Sequence, residues 1–239
     1  MKQIFTPMVV ATAFLAAASA KAQDWNYSAS LYLYAAETET SIGDRSATLS
    51  FSDALENLDS TFMGTFSAEN GQWGVALDYM MTDIGFNTAT PGPLYSGLNT
   101  SIKTRILTGY LSYRLSENDR SSTDLLAGAR WYDTDTTMTL QAGTLPTNSR
   151  TTADDWTDPV IGLRHRFSLN DKWSGTVVAD VGGWEDRETW QVLLTADYAF
   201  SDKWVGRFGF RHISVSNDGG TNSYSFKQSG PIAGMTYRF

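Results

Sequence analysis

The chain has 239 residues, no cysteine, two histidines, 13% aromatic residues and a formal charge of −8. Without Cys there is no disulfide framework, thiolate metal site or Cys nucleophile, and an acidic chain lacks the basic face that nucleic acid requires. Only 18% of the residues are charged, against the usual ~25%, while Ser, Thr, Gly, Trp and Tyr are plentiful, which excludes an ordinary soluble helical enzyme.

Residues 1–22 read as an address. Lys2 gives a positive start, Val9 to Ala18 is an apolar run too short to span a bilayer, and Ala20-Lys21-Ala22 is a small-x-small cleavage site. A secretory signal peptide over 1–22 is expected, with one domain over 23–239.

From Trp25 to Phe239 the hydrophobic period is two. Trp190, Val192, Leu194, Ala196, Tyr198 and Phe200 form one apolar parity against Thr189, Gln191, Thr195 and Asp197. This is a strand with one apolar face. Ten such segments are predicted, at 25–36, 60–70, 72–84, 101–115, 123–138, 156–169, 172–183, 189–200, 203–216 and 222–239. The connections alternate between tight turns, such as Asn70-Gly71, Asn170-Asp171 and Ser201-Asp202, and wider loops at 37–59, 85–100 and 139–155. That alternation belongs to transmembrane barrels, with short turns at one end and long loops at the other. The expected fold is all-β, a single antiparallel transmembrane β-barrel of ten strands. Eight or twelve are the alternatives, because 40–51, around Gly43-Asp44, can form an extra hairpin above the membrane.

Within the first loop, Asp53 and Glu56 have capping-box spacing, and Ala54, Leu55 and Leu58 make a short apolar stripe. One short helix is predicted there, with Asp53 as its N-cap. Asp53, Leu55, Glu56 and Leu58 would form a plug in the mouth or dock on the loop tips. Gly71-Gln72-Trp73, Asp171-Lys172-Trp173 and Asp202-Lys203-Trp204 place a Trp at the foot of three rising strands. Trp73, Trp173 and Trp204 are thus expected in an interfacial girdle.

Parity also sorts the charges. Glu69, Asp78, Asp124, Asp180 and Asp197 should face the lumen, together with Arg114, Arg130, Arg164, Arg166, Arg207, Arg211 and Arg238. Tyr32, Tyr34, Tyr110 and Tyr132 should face it too. Charges of both signs in a narrow lumen pair, because an unpaired buried charge is costly. The outer segments carry sixteen acidic residues against five basic ones. Such a rim could attract divalent cations through oxygen ligands.

Candidate catalysts are few. Asp133-x-Asp135 and His212 lie high on their strands, where omptin-like proteases pair two Asp with an Asp–His couple. Here His212 lacks the Asp two positions earlier and points outward by parity, as does His165. No Gly-rich phosphate loop, zinc pattern or dinucleotide fingerprint is present. No catalytic residue, metal ligand or cofactor is assigned.

The chain closes with Gly234-Met235-Thr236-Tyr237-Arg238-Phe239, which resembles the C-terminal strand of Gram-negative outer-membrane β-barrels. The resemblance implies that Met235, Tyr237 and Phe239 carry the signal read by the outer-membrane assembly machinery. It also implies residence in the outer membrane of a Gram-negative bacterium, among outer-membrane lipid. Leu31-Tyr32-Leu33-Tyr34, Phe51-Ser52-Asp53-Ala54-Leu55-Glu56-Asn57-Leu58 and Gly71-Gln72-Trp73-Gly74 are similar to a set of proteobacterial outer-membrane barrels. That similarity covers about the first third of the chain and implies fold and location, not an activity. The expected role is non-enzymatic, structural or surface-interacting, with a charged and largely packed lumen. The alternatives are a small solute channel and, further off, a barrel enzyme acting at the outer rim on lipid or peptide.

Overall fold

The computed structural model describes residues 25–42, 45–217 and 224–239. The expected signal segment 1–22 and the turn at Gly43-Asp44 lie outside the described residues. Twelve strands follow in order: β1 (Asn26–Tyr34), β2 (Glu37–Ile42), β3 (Arg45–Leu49), β4 (Leu58–Glu69), β5 (Trp73–Thr88) and β6 (Tyr95–Asn118). They continue as β7 (Ser121–Ala142), β8 (Asn148–Ser168), β9 (Trp173–Gly182), β10 (Arg187–Ala199), β11 (Trp204–Asn217) and β12 (Tyr224–Arg238), with one helix, α1 (Phe51–Glu56), between β3 and β4. β1 and β4 to β12 pair with their neighbours antiparallel, and β1 closes the ring on β12 from Ser28↔Arg238 to Tyr34↔Ile232. The result is a ten-stranded closed antiparallel barrel with two extra strands.

The extra pair is the hairpin that sequence allowed as an alternative. β2 runs along the upper part of β12, from Glu37↔Ser229 to Ile42↔Tyr224, and β3 pairs with β2. β1 and β2 are therefore one line along β12, broken at Ala35 and Ala36 opposite Pro231. Proline has no N–H to donate, so the ladder thins there. Its carbonyl still accepts from Ala35 N at 2.9 Å.

Two expectations need correction. The loops placed at 85–100 and 139–155 are mostly strand, because β5 ends at Thr88, β6 starts at Tyr95, β7 reaches Ala142 and β8 starts at Asn148. These stretches are rich in Thr and other polar residues, with no apolar face to alternate. β-branched Thr still favours a pleated strand, and pairing with the neighbours supplies the rest. The helix also begins earlier than expected. Ser50 is the N-cap and its hydroxyl accepts from Asp53 N at 3.2 Å, so Asp53 sits in the first turn rather than at the cap. Leu58 opens β4 instead of ending the helix stripe.

Outward side chains form an exposed apolar belt, including Leu31, Leu33, Phe62, Phe66, Leu77, Leu163, Leu194, Phe208 and Phe210. An apolar surface of that extent is stable only against lipid. On β6 the belt runs from Leu107 to Leu115, ~30 Å of strand and ~23 Å of height at a tilt of ~40°. Immediately above it, still on the outer face, the ion pairs Lys103–Asp83 (2.9 Å) and Arg105–Asp133 (2.5 Å) mark where the apolar surface stops. Above that line β6, β7 and β8 continue as a wall. From Asn148 to Asp158, β8 pairs with β7 alone among the described residues.

At the opposite end each girdle Trp faces a Tyr across the ladder. Trp73 meets Tyr113, Trp173 meets Tyr198 and Trp204 meets Tyr237, with ring centroids 4.8, 4.9 and 4.8 Å apart. Edge-on aromatic pairs contribute ~0.5–1.5 kcal/mol each beyond burial. They also pin the register of three strand pairs at the short-turn end.

The turn between β4 and β5 supplies a prediction. Gly71 has φ +87° and no neighbouring atom within 4 Å of where a Cβ would stand, so a side chain there meets backbone strain alone. Gly71→Val should cost about 1–2 kcal/mol, and Gly71→Asn much less. Urea unfolding of the refolded barrel in lipid vesicles reads both.

Candidate functional site

The interior is built in layers, because each strand turns alternate residues inward and the strands are aligned by their registers. At the short-turn end Glu69 and Asp124 are shared among three arginines. Arg164 lies 2.6 Å from Glu69 and 2.9 Å from Asp124, Arg166 lies 2.8 and 3.1 Å from the same two carboxylates, and Arg114 pairs with Asp124. Glu69 on β4 reaches arginines on β8, so this cluster crosses the lumen. On the facing wall Asp197 accepts from Thr176 at 3.0 Å, and Arg207 approaches it at 3.6 Å. Arg238 lines the same cavity.

Higher up lies a ring of smaller apolar residues, Ala76, Leu126, Val178, Leu193 and Ile232, around a cavity of about 160 Å³. Above it a polar network spans the barrel. Arg211 bonds Asp78 at 2.8 Å, Tyr32 Oη at 3.1 Å and Gln191 Oε1 at 2.8 Å. The Gln191 amide donates to Asp180 at 2.6 Å, Tyr110 Oη donates to Asp180 at 2.5 Å, and the Arg130 guanidinium meets Asp180 at 2.9 Å. Arg130 also donates to Thr108 and Thr189, each at 3.0 Å. Seven strands contribute, and the side chains of Arg130 and Asp180 have no exposed surface.

An apolar layer covers the network: Tyr34, Met63, Met80, Ile106, Ile213, Val215 and Phe226, with Tyr132 stacked on Trp156 at 4.9 Å. Ile106, Ile213 and Val215 have at most 1% of their surface exposed. The lumen is therefore closed at mid-height by side chains of the barrel itself. No residue of α1 is buried, and Phe51 and Leu55 are 44% and 57% exposed. This corrects the plug expectation for Asp53, Leu55, Glu56 and Leu58: the helix touches β2, and the barrel needs no stopper because its own core fills the mouth.

The twelve expected lumen charges all lie on inward-facing positions of their strands. What sequence missed is a thirteenth and its partner. Asp158 and Arg187 fall in segments assigned to the acidic rim, yet Asp158 is fully buried, pairs with Arg187 at 2.9 Å and accepts from Trp156 Nε1 at 3.1 Å. The apolar parity of Val160 and Gly162 below it was the available signal. Gln191, Thr108 and Thr189 were also missed as network members, since neutral polar residues announce nothing by charge.

The catalytic candidates are not brought together. Asp133 and Asp135 sit on the outer face, where Arg105 holds them at 2.5 and 3.2 Å. His212 packs on Trp190 at 4.4 Å between centroids, with Nδ1 2.6 Å from Ser229 Oγ. Among the described residues no carboxylate hydrogen-bonds its ring. His165 stacks on Phe167 and shares a hydrogen bond with Thr123 at 2.9 Å. Among the described residues no group of three or more His, Asp or Glu is arranged to hold a metal ion.

No protein-family model matches the chain, and no curated protein matches it in sequence. Solved structures do. The outer membrane protease OmpT from Escherichia coli superposes with a TM-score of 0.55 at 12% identity, over 90% of this chain and 97% of that one. The attachment invasion locus protein Ail of Yersinia pestis gives 0.41 at 13% identity, over 90% and 98%. Neisserial surface protein A gives 0.37 at 14%, over 90% and 97%. The likeness is one of fold.

The network yields a stability prediction. Removing one member of a buried ion pair strands the other and costs ~3–5 kcal/mol, whereas replacing both with apolar residues of similar size is often near neutral. Arg130→Met and Asp180→Leu should each destabilise by about that amount, and the double variant by clearly less than their sum. Asp197→Asn should cost far less, because Arg207 is 38% exposed at its side chain and 3.6 Å away. Urea unfolding midpoints and heat-dependent gel mobility measure all four.

Proposed function

We propose that this protein is an exported outer-membrane barrel of a Gram-negative bacterium that passes no solute and serves a structural or surface-interaction role through its outer wall. One observation supports the reading above the others: the lumen is closed by a buried hydrogen-bonded network and an apolar layer, with Arg130 and Ile213 at 0% exposure. A channel would need those layers hydrated. They are instead satisfied internally, Asp180 by three donors and Arg211 by four acceptor groups counting the Met80 sulfur. The short-turn end, with both chain ends of the described barrel, would lie in the periplasm. Met235 and Tyr237 face outward on the last strand and exposed Phe239 follows it, the Tyr237 ring meeting those of Trp204 and Phe239 at 4.8 and 5.2 Å. This is an exposed aromatic strip suited to recognition by the assembly machinery.

The working surface in this reading is the β6–β8 wall above the membrane. Its polar faces and the half-paired upper segment of β8 stand clear of the lipid, and Arg150, Asp154 and Asp155 on that segment are exposed. Charges on an unpaired edge discourage indiscriminate strand addition, leaving a surface that accepts a selected partner.

Planar-bilayer recording of the mature, heat-modifiable protein tests the reading. Silence is expected. Reproducible ohmic steps would replace it with the small-channel reading, and their ion selectivity would then report on the arginine-lined half of the lumen.

A further inference from the structure

We infer that the lower half of the lumen is a blind binding pocket for a small amphiphilic anion: a carboxylate or phosphate monoester on a short apolar chain, entering from the short-turn end. This goes beyond the surface role and depends on a different part of the molecule.

The shape comes first. A cavity of about 550 Å³ at the short-turn end contains Arg207 and Arg238. It adjoins the 160 Å³ chamber above, and the two share the wall residues Ser30, Thr65, Ser67, Arg164, Thr176 and Arg207. The chamber is walled by Leu126, Val178, Leu193 and Ile232 and roofed by the Arg211 network, so it ends there. Its volume equals that of about five waters, the size of a short hydrocarbon tail. A pocket that is apolar within and cationic at its neck is the general form of a site for an amphiphile.

The charges give the second argument. Three of the lower arginines are committed to Glu69 and Asp124. On the opposite wall two guanidiniums, Arg207 and Arg238, line the cavity together with one carboxylate, Asp197. Arg207 reaches it only at 3.6 Å, and Arg238 makes no ion pair among the described residues. Around that point three buried atoms lack a hydrogen-bond partner: Arg207 Nε, Asp197 Oδ1 and Thr195 Oγ1. Buried polar groups without partners are rare and ask for an explanation. Water can bond to them, but it supplies no charge for the second guanidinium and gains nothing from the apolar chamber. An anionic head at the neck does the first, by charge-assisted bonds to arginine, and its tail does the second.

The test uses the refolded barrel in uncharged maltoside micelles, with methyl-labelled Leu, Val and Ile, titrated with hexanoate and in parallel with hexyl phosphate. Saturable shifts are expected at Val178, Leu193 and Ile232, with Leu163 and Leu194 on the lipid face unmoved. The stronger of the two titrants identifies the head group. Hexan-1-ol should bind about tenfold more weakly or worse, and Arg207→Gln should weaken the anion by about tenfold. Leu193→Trp, which fills the chamber, should abolish the tail-dependent gain over acetate. Shifts that do not saturate, that appear on the lipid-facing methyls, or that survive Arg207→Gln and Leu193→Trp unchanged in variants with wild-type heat modifiability would overturn the inference. None of these outcomes depends on whether the barrel conducts.

Discussion

The structure depends on how charge is satisfied inside a cylinder of ten strands. A closed barrel removes sheet edges, but it gives every inward side chain a fixed address and no bulk water. An arginine placed there must find its counter-ion on another strand. Arg130 and Asp180 do so from β7 and β9, and Arg211 and Asp78 from β11 and β5. Because Gln191 donates to Asp180 and accepts from Arg211, the two ion pairs form one network. It acts as a cross-brace at mid-height, tying together strands that share no ladder. A hydrophobic replacement could be as stable. What the network adds is a register requirement, since sliding any one strand by a residue would turn its charge into lipid.

Along the barrel axis the interior then alternates between polar and apolar layers: a shared carboxylate–arginine cluster, a small apolar ring, the brace, a large apolar layer, and finally Asp158 with Arg187. The upper apolar layer carries big side chains, including Tyr132, Trp156, Ile213 and Phe226, and is filled. The lower ring carries Ala76, Val178 and Leu193, and is not. Side-chain size rather than strand number decides which half is solid. A closed outer half and a hollow inner half follow from the same ten strands.

Much of the architecture was legible because a half-exposed strand writes its geometry as period-two hydrophobicity. Trp190 to Phe200 could be read as a lipid face, and the opposite parity as a lumen, without knowing any contact. The repeated Trp after each tight turn was equally readable, although the Tyr opposite each one was not, since pairing across a ladder depends on register between distant segments. The signal failed where the environment is the same on both faces. Tyr95 to Thr100 and Thr139 to Ala142 stand above the lipid with solvent on each side, so no alternation marks them. Asp158 was missed for the converse reason: a lone acid beside acidic loop residues looks like rim, although its parity with Val160 and its ladder position opposite Arg130 place it inside. The helix cap was misplaced because Asp53 and Glu56 have capping-box spacing, whereas the cap is made by Ser50, whose hydroxyl accepts from Asp53 N.

The wall formed by β6, β7 and β8 is the feature the lipid does not explain. Spanning the membrane needs about nine to eleven residues per strand, and β6 has twenty-four. Strand continued beyond that need is held by its own ladders, with little apolar burial to support it: Met138 is half exposed and Leu145 is 42% exposed. Cross-strand threonine pairs such as Thr137–Thr151 and the hydroxyl contact Thr139–Ser149, both 2.9 Å, add small increments. A structure maintained on such thin terms, above a lumen that is already sealed, contributes nothing to closing the barrel. Under the proposed surface role, its stiffness would hold a polar surface at a fixed height over the membrane.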